Sequence, residues 1–93
     1  MRFIRSVRVE SPGTRNEHIT HIRYSETPYG AQTTLSRDSV VLSIRSGWVY
    51  RSHRDLNGAE APVVVKVGAR GQHYIATVAD STETNNLLEL PRF

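Results

Sequence analysis

Apolar and polar positions alternate along much of the chain, a pattern typical of β-strands that are buried on one face. Four segments combine this alternation with β-branched and aromatic residues: 18–24, 48–53, 62–67 and 73–78. Turn residues separate the last three segments, which therefore predict a three-stranded antiparallel meander. Val63, Val65 and Val67 share one strand face, so the sheet is expected to be covered on one side.

One segment, residues 36–47, has helical rather than strand periodicity. Val40, Val41 and Ile44 form an apolar stripe at the spacing of one helix face. Ser36 precedes them and is a typical N-cap residue. The predicted fold class is therefore α+β: a small antiparallel β-sheet, a meander of about four strands, covered on one face by a single α-helix.

The first part of the chain has a less regular pattern. Residues 3–9 are interpreted either as a short strand or as an arm, and a loop with turn residues follows them. Residues 25–34 contain proline and glycine and are predicted to form a second loop. Because 93 residues support one hydrophobic core, we expect a single α+β domain over 18–93, preceded by an N-terminal arm or strand and loop over 1–17.

A polar cluster, residues 80–86, separates the last predicted strand from a leucine-rich end. Asp80 and Asn86 have side chains that form turns and cap short helices, so the cluster is interpreted first as a turn and cap and second as a site. The leucines that follow are predicted to close the open end of the core before Pro91 ends the turn.

Several short motifs occur in a characteristic order along the chain. They are Ile19 to Arg23 (ITHIR), Ser36-Arg37 with Val40, Ile44 and Gly47, Tyr74-Ile75-x-Thr77, Asp80, and Asn86 to Pro91 (NLLELP). In order and spacing, over about residues 18–91, they resemble DUF3892, a small bacterial and phage family of unknown function. The resemblance implies a compact standalone domain, and it supplies neither an activity nor catalytic residues nor a cofactor.

The composition excludes several classes of protein. The chain contains no cysteine, which excludes disulfides, thiolate metal sites and a cysteine nucleophile. Its longest apolar run, residues 61–65, is far shorter than the roughly 20 residues that a membrane span needs. The amino terminus lacks the apolar region of a signal peptide. We therefore expect a cytoplasmic protein that has no membrane contact, no bound metal and no cofactor.

The basic residues are almost all arginine: eleven of the twelve, for a formal net charge of +3. A planar guanidinium recognises phosphate and carboxylate, but acids are scattered among these arginines, as on an ordinary solvated surface. A charge excess that is small and dispersed favours a protein partner over nucleic acid.

The leading hypothesis is a non-catalytic protein-interaction module whose partner is another protein or a second copy of the chain. The strands that begin at 18 and 73 are predicted edges for pairing with a partner strand. Trp48 is predicted to be a core residue, whereas the two tyrosines of the candidate site belong either to the core or to a binding surface. The candidate binding residues are Tyr50, Arg51, Arg54, Arg70, Tyr74, Asp80 and Asn86.

Two alternatives make different structural demands. A weak nucleic-acid-binding domain requires the three arginines among the candidates to cluster in space. A small hydrolase or metal-dependent enzyme requires His21, His53 and His73 to converge with carboxylates in a pocket. No Gly-x-Ser-x-Gly motif is present, and no catalytic residue or metal ligand is predicted.

Overall fold

The structure, a computed structural model, describes residues 1–78 and 87–93. Within these residues the strands are β1 Arg2–Val9, β2 Ile19–Ser25, β3 Thr33–Ser36, β4 Tyr50–His53, β5 Glu60–Val67 and β6 His73–Thr77. The helical elements are α1 Arg37–Arg45 and two short 3-10 turns, Asn16–His18 and Leu87–Glu89.

The strands form one six-stranded mixed sheet in the order β3-β2-β1-β4-β5-β6. Four of the five strand pairs are antiparallel, and β1 with β4 is parallel. The parallel pair arises because α1 carries the chain back across the sheet between β3 and β4. The predicted α+β class with one helix is confirmed, whereas the predicted antiparallel meander of about four strands is wrong in strand number and direction.

The first strand, β1, lies inside the sheet between β2 and β4. Of the two interpretations of residues 3–9, the structure therefore contains the strand. Ile4 pairs with Tyr24 and Ser6 pairs with Arg23, so Arg5 is an extra residue on β1 and forms a β-bulge. The bulge allows Ile4 and Val7, three positions apart, to be fully buried together. Because a regular strand buries every second residue, this spacing does not match the alternation that predicts a strand.

The helix begins and ends where the sequence predicts. Ser36 is the N-cap, and its side chain accepts a hydrogen bond from the backbone amide of Ser39. Val40 and Val41 are buried, and Ile44 packs against the core at its margin. No helix among the described residues combines the length and the apolar character needed to cross a membrane.

The predictions for the two aromatic residues after the helix have different outcomes. Trp48 is 46% exposed, so its predicted place in the core is wrong, and Tyr50 is 1% exposed and fills that place. Gly47, with φ of +103°, turns the chain away from the helix, and β4 begins only at Tyr50. Trp48 therefore belongs to the connection between α1 and β4 and not to a strand that faces the helix.

The carboxyl-terminal residues close the core alongside β1. Leu87 and Leu90 are buried, which confirms the predicted role of the leucines. The backbone of Val7 donates to the carbonyl of Pro91 and accepts from the amide of Phe93, because β4 pairs only with the first part of β1. The predicted turn or site at Asp80 to Asn86 lies outside the described residues.

We predict that Ile22→Ala destabilises the protein by about 2–4 kcal/mol, because it leaves a cavity at a fully buried position opposite Val7. The matched control is Leu56→Ala, at a leucine that is 84% exposed, with an expected change within about 0.5 kcal/mol. Urea unfolding followed by Trp48 fluorescence measures both. Equal stability of the two variants would contradict the core described above.

Candidate functional site

The structure does not bring the three candidate arginines together. Arg51 lies opposite Pro62, near the start of β5, whereas Arg70 follows the end of β5 at Val67. Five residues of strand, at about 3.3 Å each, separate these two levels by roughly 17 Å. Arg54 lies in the turn between β4 and β5, on the side of Arg51, where its amide donates to Ala59.

Two of the candidate residues are already engaged within the domain. The Nε of Arg51 lies 3.2 Å from a carboxylate oxygen of Glu60, so this arginine is neutralised by its neighbour on β5. The buried Tyr50 hydroxyl accepts a hydrogen bond from Arg2 at 2.7 Å and donates to the hydroxyl of Ser43 at 2.9 Å. Tyr50 is therefore a core residue that presents no ring face to a partner.

The other described candidates, Arg70 and Tyr74, line an open groove with a volume of about 740 Å³. One wall is the loop between β1 and β2 with its 3-10 turn, and the other wall is the tip of the β5–β6 hairpin. We call this feature the tip groove. Its charged side chains are Glu10, Arg15, Glu17, Arg37 and Arg70.

The loop wall of the tip groove is ordered by one histidine ring. The Nδ1 of His18 accepts hydrogen bonds from the amides of Thr14, at 3.2 Å, and Arg15, at 3.1 Å. A neutral ring that accepts at Nδ1 carries its proton on Nε2, so His18 keeps a donor for other groups. The carbonyl of His18 also accepts from the amide of Glu10, which closes the base of the loop.

The hairpin wall is a tight turn held by one glutamine. The carbonyl of Gln72 accepts from the amide of Gly68 at 2.8 Å, and its side-chain oxygen accepts from the amide of Arg70 at 3.1 Å. A Cβ at Gly68 would lie 2.7 Å from the Gln72 side chain, and Gly71 has a φ of +79°. The turn predicted between the segments 62–67 and 73–78 is confirmed, and it holds the backbone of Arg70 in place.

The arginines of the tip groove differ in their partners. Arg37 donates to the carbonyl of Glu17 and forms an exposed ion pair with Asp38, which ties the start of α1 to the loop wall. Arg15 and Arg70 are exposed, and neither has an acidic partner within residues 1–78 or 87–93. The groove therefore has one unpaired guanidinium on each wall.

Strand β6, which carries Tyr74, forms one edge of the sheet, as predicted for the strand that begins at 73. The other predicted edge is wrong: β2, which begins at Ile19, pairs with β1 on one side and with β3 on the other. The predicted loop over 25–34 ends in a short strand, β3, which covers that side of β2 and forms the second edge.

The hydrogen bonds at the two ends of the β5–β6 pair fix the direction of the backbone groups between them. Gly68 bonds to Gln72, and Val78 bonds to Pro62. Because bonded and non-bonded pairs alternate in an antiparallel ladder, Tyr74 and Ala76 face β5 with their backbone groups. The amides of His73, Ile75 and Thr77 therefore point away from β5, toward the outer side of β6.

The three histidines required by the enzyme hypothesis lie apart. His21, His53 and His73 belong to β2, β4 and β6, each separated from the next by one intervening strand. At about 4.8 Å per strand, neighbouring members of the set are roughly 10 Å apart. In the part of the chain that the structure describes, no group of three histidines or acids is placed to hold a metal ion.

A cluster that the sequence analysis missed surrounds His53, which is 3% exposed on the sheet face opposite the helix. Its Nδ1 lies 2.8 Å from a carboxylate oxygen of Glu60, and its Nε2, which has no hydrogen-bond partner in the described part of the chain, lies 3.8 Å from Asp55. The edges of Phe3 and Tyr29 pack around the ring. Pairing of residues 53 and 60 across Asn57-Gly58, turn residues between two predicted strands, was the signal available in the sequence.

Arg5 connects this cluster to the rest of the fold. Its guanidinium forms two hydrogen bonds with the carboxylate of Asp55, at 2.7 and 3.0 Å, and a third with the carbonyl of Gly30 at 2.7 Å. The bulge on β1 thus holds the β4–β5 turn and the β2–β3 loop together. With the imidazole enclosed by rings and carboxylates, the arrangement acts as a structural clasp.

We predict that Asp55→Asn destabilises the protein by about 0.5–1 kcal/mol at pH 7, since Asp55 is 45% exposed and its ion pair is partly screened. The hydrogen bond from Arg5 holds the pKa of Asp55 below its usual value, and partial burial opposes this effect. A depressed carboxyl pKa stabilises the fold above the unfolded-state value of about 3.9, and this contribution is lost as pH falls through the folded-state pKa.

Urea unfolding at pH 7 and near pH 2 measures this difference. Wild type and Asp55→Asn are expected to converge at the lower pH. Glu26→Gln is the control, because it removes one exposed carboxylate that accepts no hydrogen bond among the described residues. A gap between wild type and Asp55→Asn that persists unchanged at low pH would contradict the proposed contribution of the carboxylate charge.

Comparison with known proteins gives a family without a known activity. No curated protein and no solved structure matches the chain significantly. A family model described as "Protein of unknown function (DUF3892)" matches residues 3–91 of the 93. The match begins in β1, fifteen residues before the resemblance seen in the sequence motifs. The chain therefore belongs to the DUF3892 family of proteins of unknown function.

Proposed function

We propose that this domain is a non-catalytic protein-interaction module that adds an extended segment of a partner protein to the outer edge of β6. The observation that carries the proposal is an unpaired strand edge next to an open groove. Among the described residues no strand pairs with this edge, and the outward amides of His73 and Thr77 belong to half-buried residues, whereas Ile75 between them is fully buried. An added strand gains main-chain hydrogen bonds from such an edge and specificity from neighbouring pockets.

The tip groove supplies the neighbouring pocket. Tyr74 belongs both to β6 and to the lining of the groove, so a segment that pairs with the strand passes the groove within one or two residues. A volume of about 740 Å³ is within the range of sites that enclose small ligands, and it accommodates several side chains. Backbone pairing and side-chain recognition are thus available to the same partner.

The opposite edge of the sheet is a poorer template. β3 has only four residues and leads directly into the N-cap of α1, so few of its backbone groups remain for a partner. Short edge strands are one of the devices that limit unwanted strand pairing. The five-residue β6 is therefore the preferred docking edge.

The alternatives have less support. A nucleic-acid surface built on the three candidate arginines would have to join Arg51, which is paired with Glu60, to Arg70 at the far end of β5. An enzyme would have to use histidines on separate strands, of which His53 is enclosed in the clasp. Neither arrangement provides the convergent site that those functions need.

We predict that Thr77→Pro weakens binding of selected partner peptides by roughly three- to tenfold, because it removes one outward amide donor at the edge. The amide of Thr77 does not bond to β5, and proline is tolerated on edge strands, so the fold is expected to persist. The peptides come from a displayed library of random twelve-residue sequences, and fluorescence anisotropy gives their dissociation constants.

Thr77→Val is the matched control, since it keeps the amide and the β-branched shape, and it is expected to bind within twofold of wild type. A second readout needs no variant: the amide protons of His73 and Thr77 should exchange more slowly when wild type is saturated with peptide. Failure to select any peptide, or peptides that bind all three proteins equally without slowing these amides, would overturn the proposal.

A further inference from the structure

The tip groove contains two cations that have no counterion among residues 1–78 and 87–93. Arg15 stands on the loop wall and Arg70 on the hairpin wall, and both are exposed. Within the described residues neither forms an ion pair, whereas Arg5, Arg37 and Arg51 each do. These two guanidinium groups are therefore available to a ligand.

From this arrangement we infer that the segment bound at β6 carries an isolated acidic side chain, an aspartate or glutamate, which the tip groove binds between Arg15 and Arg70. The inference rests on the proposed strand addition, and it adds the chemistry of the partner. A guanidinium matches a carboxylate by its planar set of donors, so one such group on each wall fits one carboxylate between them.

The backbone at each arginine is fixed, which favours a defined site over a diffuse positive surface. His18 accepts the amide of Arg15, and Gln72 accepts the amide of Arg70. His18 adds a donor to the lining, because a ring that accepts two amides at Nδ1 carries its proton on Nε2 when neutral. Tyr74, whose hydroxyl can donate and accept hydrogen bonds, belongs to the same lining.

The acids in the groove restrict the kind of anion that fits. Glu10 and Glu17 line it as well, so its three arginines and two carboxylates leave a net charge of only +1. The charge of Arg37 is shared with Asp38. A polyanion such as a nucleic-acid backbone would meet these carboxylates and be repelled, whereas a single carboxylate needs only the two unpaired arginines.

Strand geometry sets the pattern expected in the partner. Successive side chains of an added strand point to opposite faces, so only every second residue lies on the face that carries Tyr74. The acid is therefore expected among alternate positions of the bound segment, with uncharged residues tolerated between them.

Two octapeptides with blocked ends test the inference: one has a single glutamate at its fourth position among threonines, and the other has glutamine at that position. We expect the glutamate peptide to bind roughly three- to tenfold more tightly, the factor that one or two half-exposed ion pairs provide. NMR titration gives the affinities, with amide shifts expected in residues 14–18 and 68–72. Arg15→Gln and Arg70→Gln should each reduce the preference for glutamate.

Arg54→Gln is the matched control, because it removes the same charge from the β4–β5 turn, outside the tip groove. It should leave the preference unchanged. Equal binding of the two peptides, or an equal effect of Arg54→Gln and Arg70→Gln, would overturn the inference. So would tighter binding of a twelve-nucleotide oligothymidylate than of the glutamate peptide.

The outcomes separate this inference from the proposed function. If both peptides bind equally and slow the amides of His73 and Thr77, strand addition stands and the acidic preference is refuted. If the glutamate peptide shifts only the groove residues and does not slow those two amides, the anion site stands and strand addition is refuted.

Discussion

The whole arrangement depends on burying the apolar side chains of β1 in the middle of the sheet while its arginines bond or stack at the margins of the core. The bulge at Arg5 makes this possible, because it brings Ile4 and Val7 to the same buried side although they are three positions apart. Without that extra residue, strict alternation would turn one of the two toward the opposite face. β1 pairs with β2, with β4 and, at Val7, with the carboxyl-terminal residues, so three parts of the chain rely on this strand.

The bulge residue, Arg5, belongs to a region of the molecule whose polar side chains bond to one another. Arg5 leaves the sheet where it can bond to Asp55 and Gly30, and His53 with Glu60 completes the clasp beside them. The polar side chains of that region are therefore engaged in contacts within the domain. β6 lies three places from β1 in the sheet, and among the described residues no strand pairs with its outer side, although Ile75 in the middle of β6 is fully buried. The candidate site therefore lies where two arginines, Arg15 and Arg70, form no ion pair with the described residues.

The elements predicted correctly were those whose signals are local. The helix followed from the spacing of its apolar residues and from Ser36, and the β4–β5–β6 meander followed from turn residues between alternating segments. β1 was ambiguous because a bulge breaks its period, and β3 was missed because a short edge strand between a loop and a helix carries little pattern. At the site, Arg70 and Tyr74 do share a groove, but Arg51 does not, since register and strand length place it at the other end of β5. The wall of the tip groove that the β1–β2 loop forms depends on tertiary packing, which no local sequence pattern indicates.

The abundance of arginine, which at first resembles a nucleic-acid signal, has mostly a structural explanation. Arg2 lies over the rings of Trp48, at 4.0 Å, and Tyr24, at 4.5 Å, while Arg8 and Arg23 both lie over the ring of Phe93. Guanidinium groups serve these roles well because they are weakly hydrated and planar, and they stack on aromatic faces without losing their hydrogen bonds. Arginines used in this way are poor ligands for a phosphate backbone. The unpaired guanidinium groups are therefore the informative ones, and two of them, Arg15 and Arg70, line the tip groove beside β6.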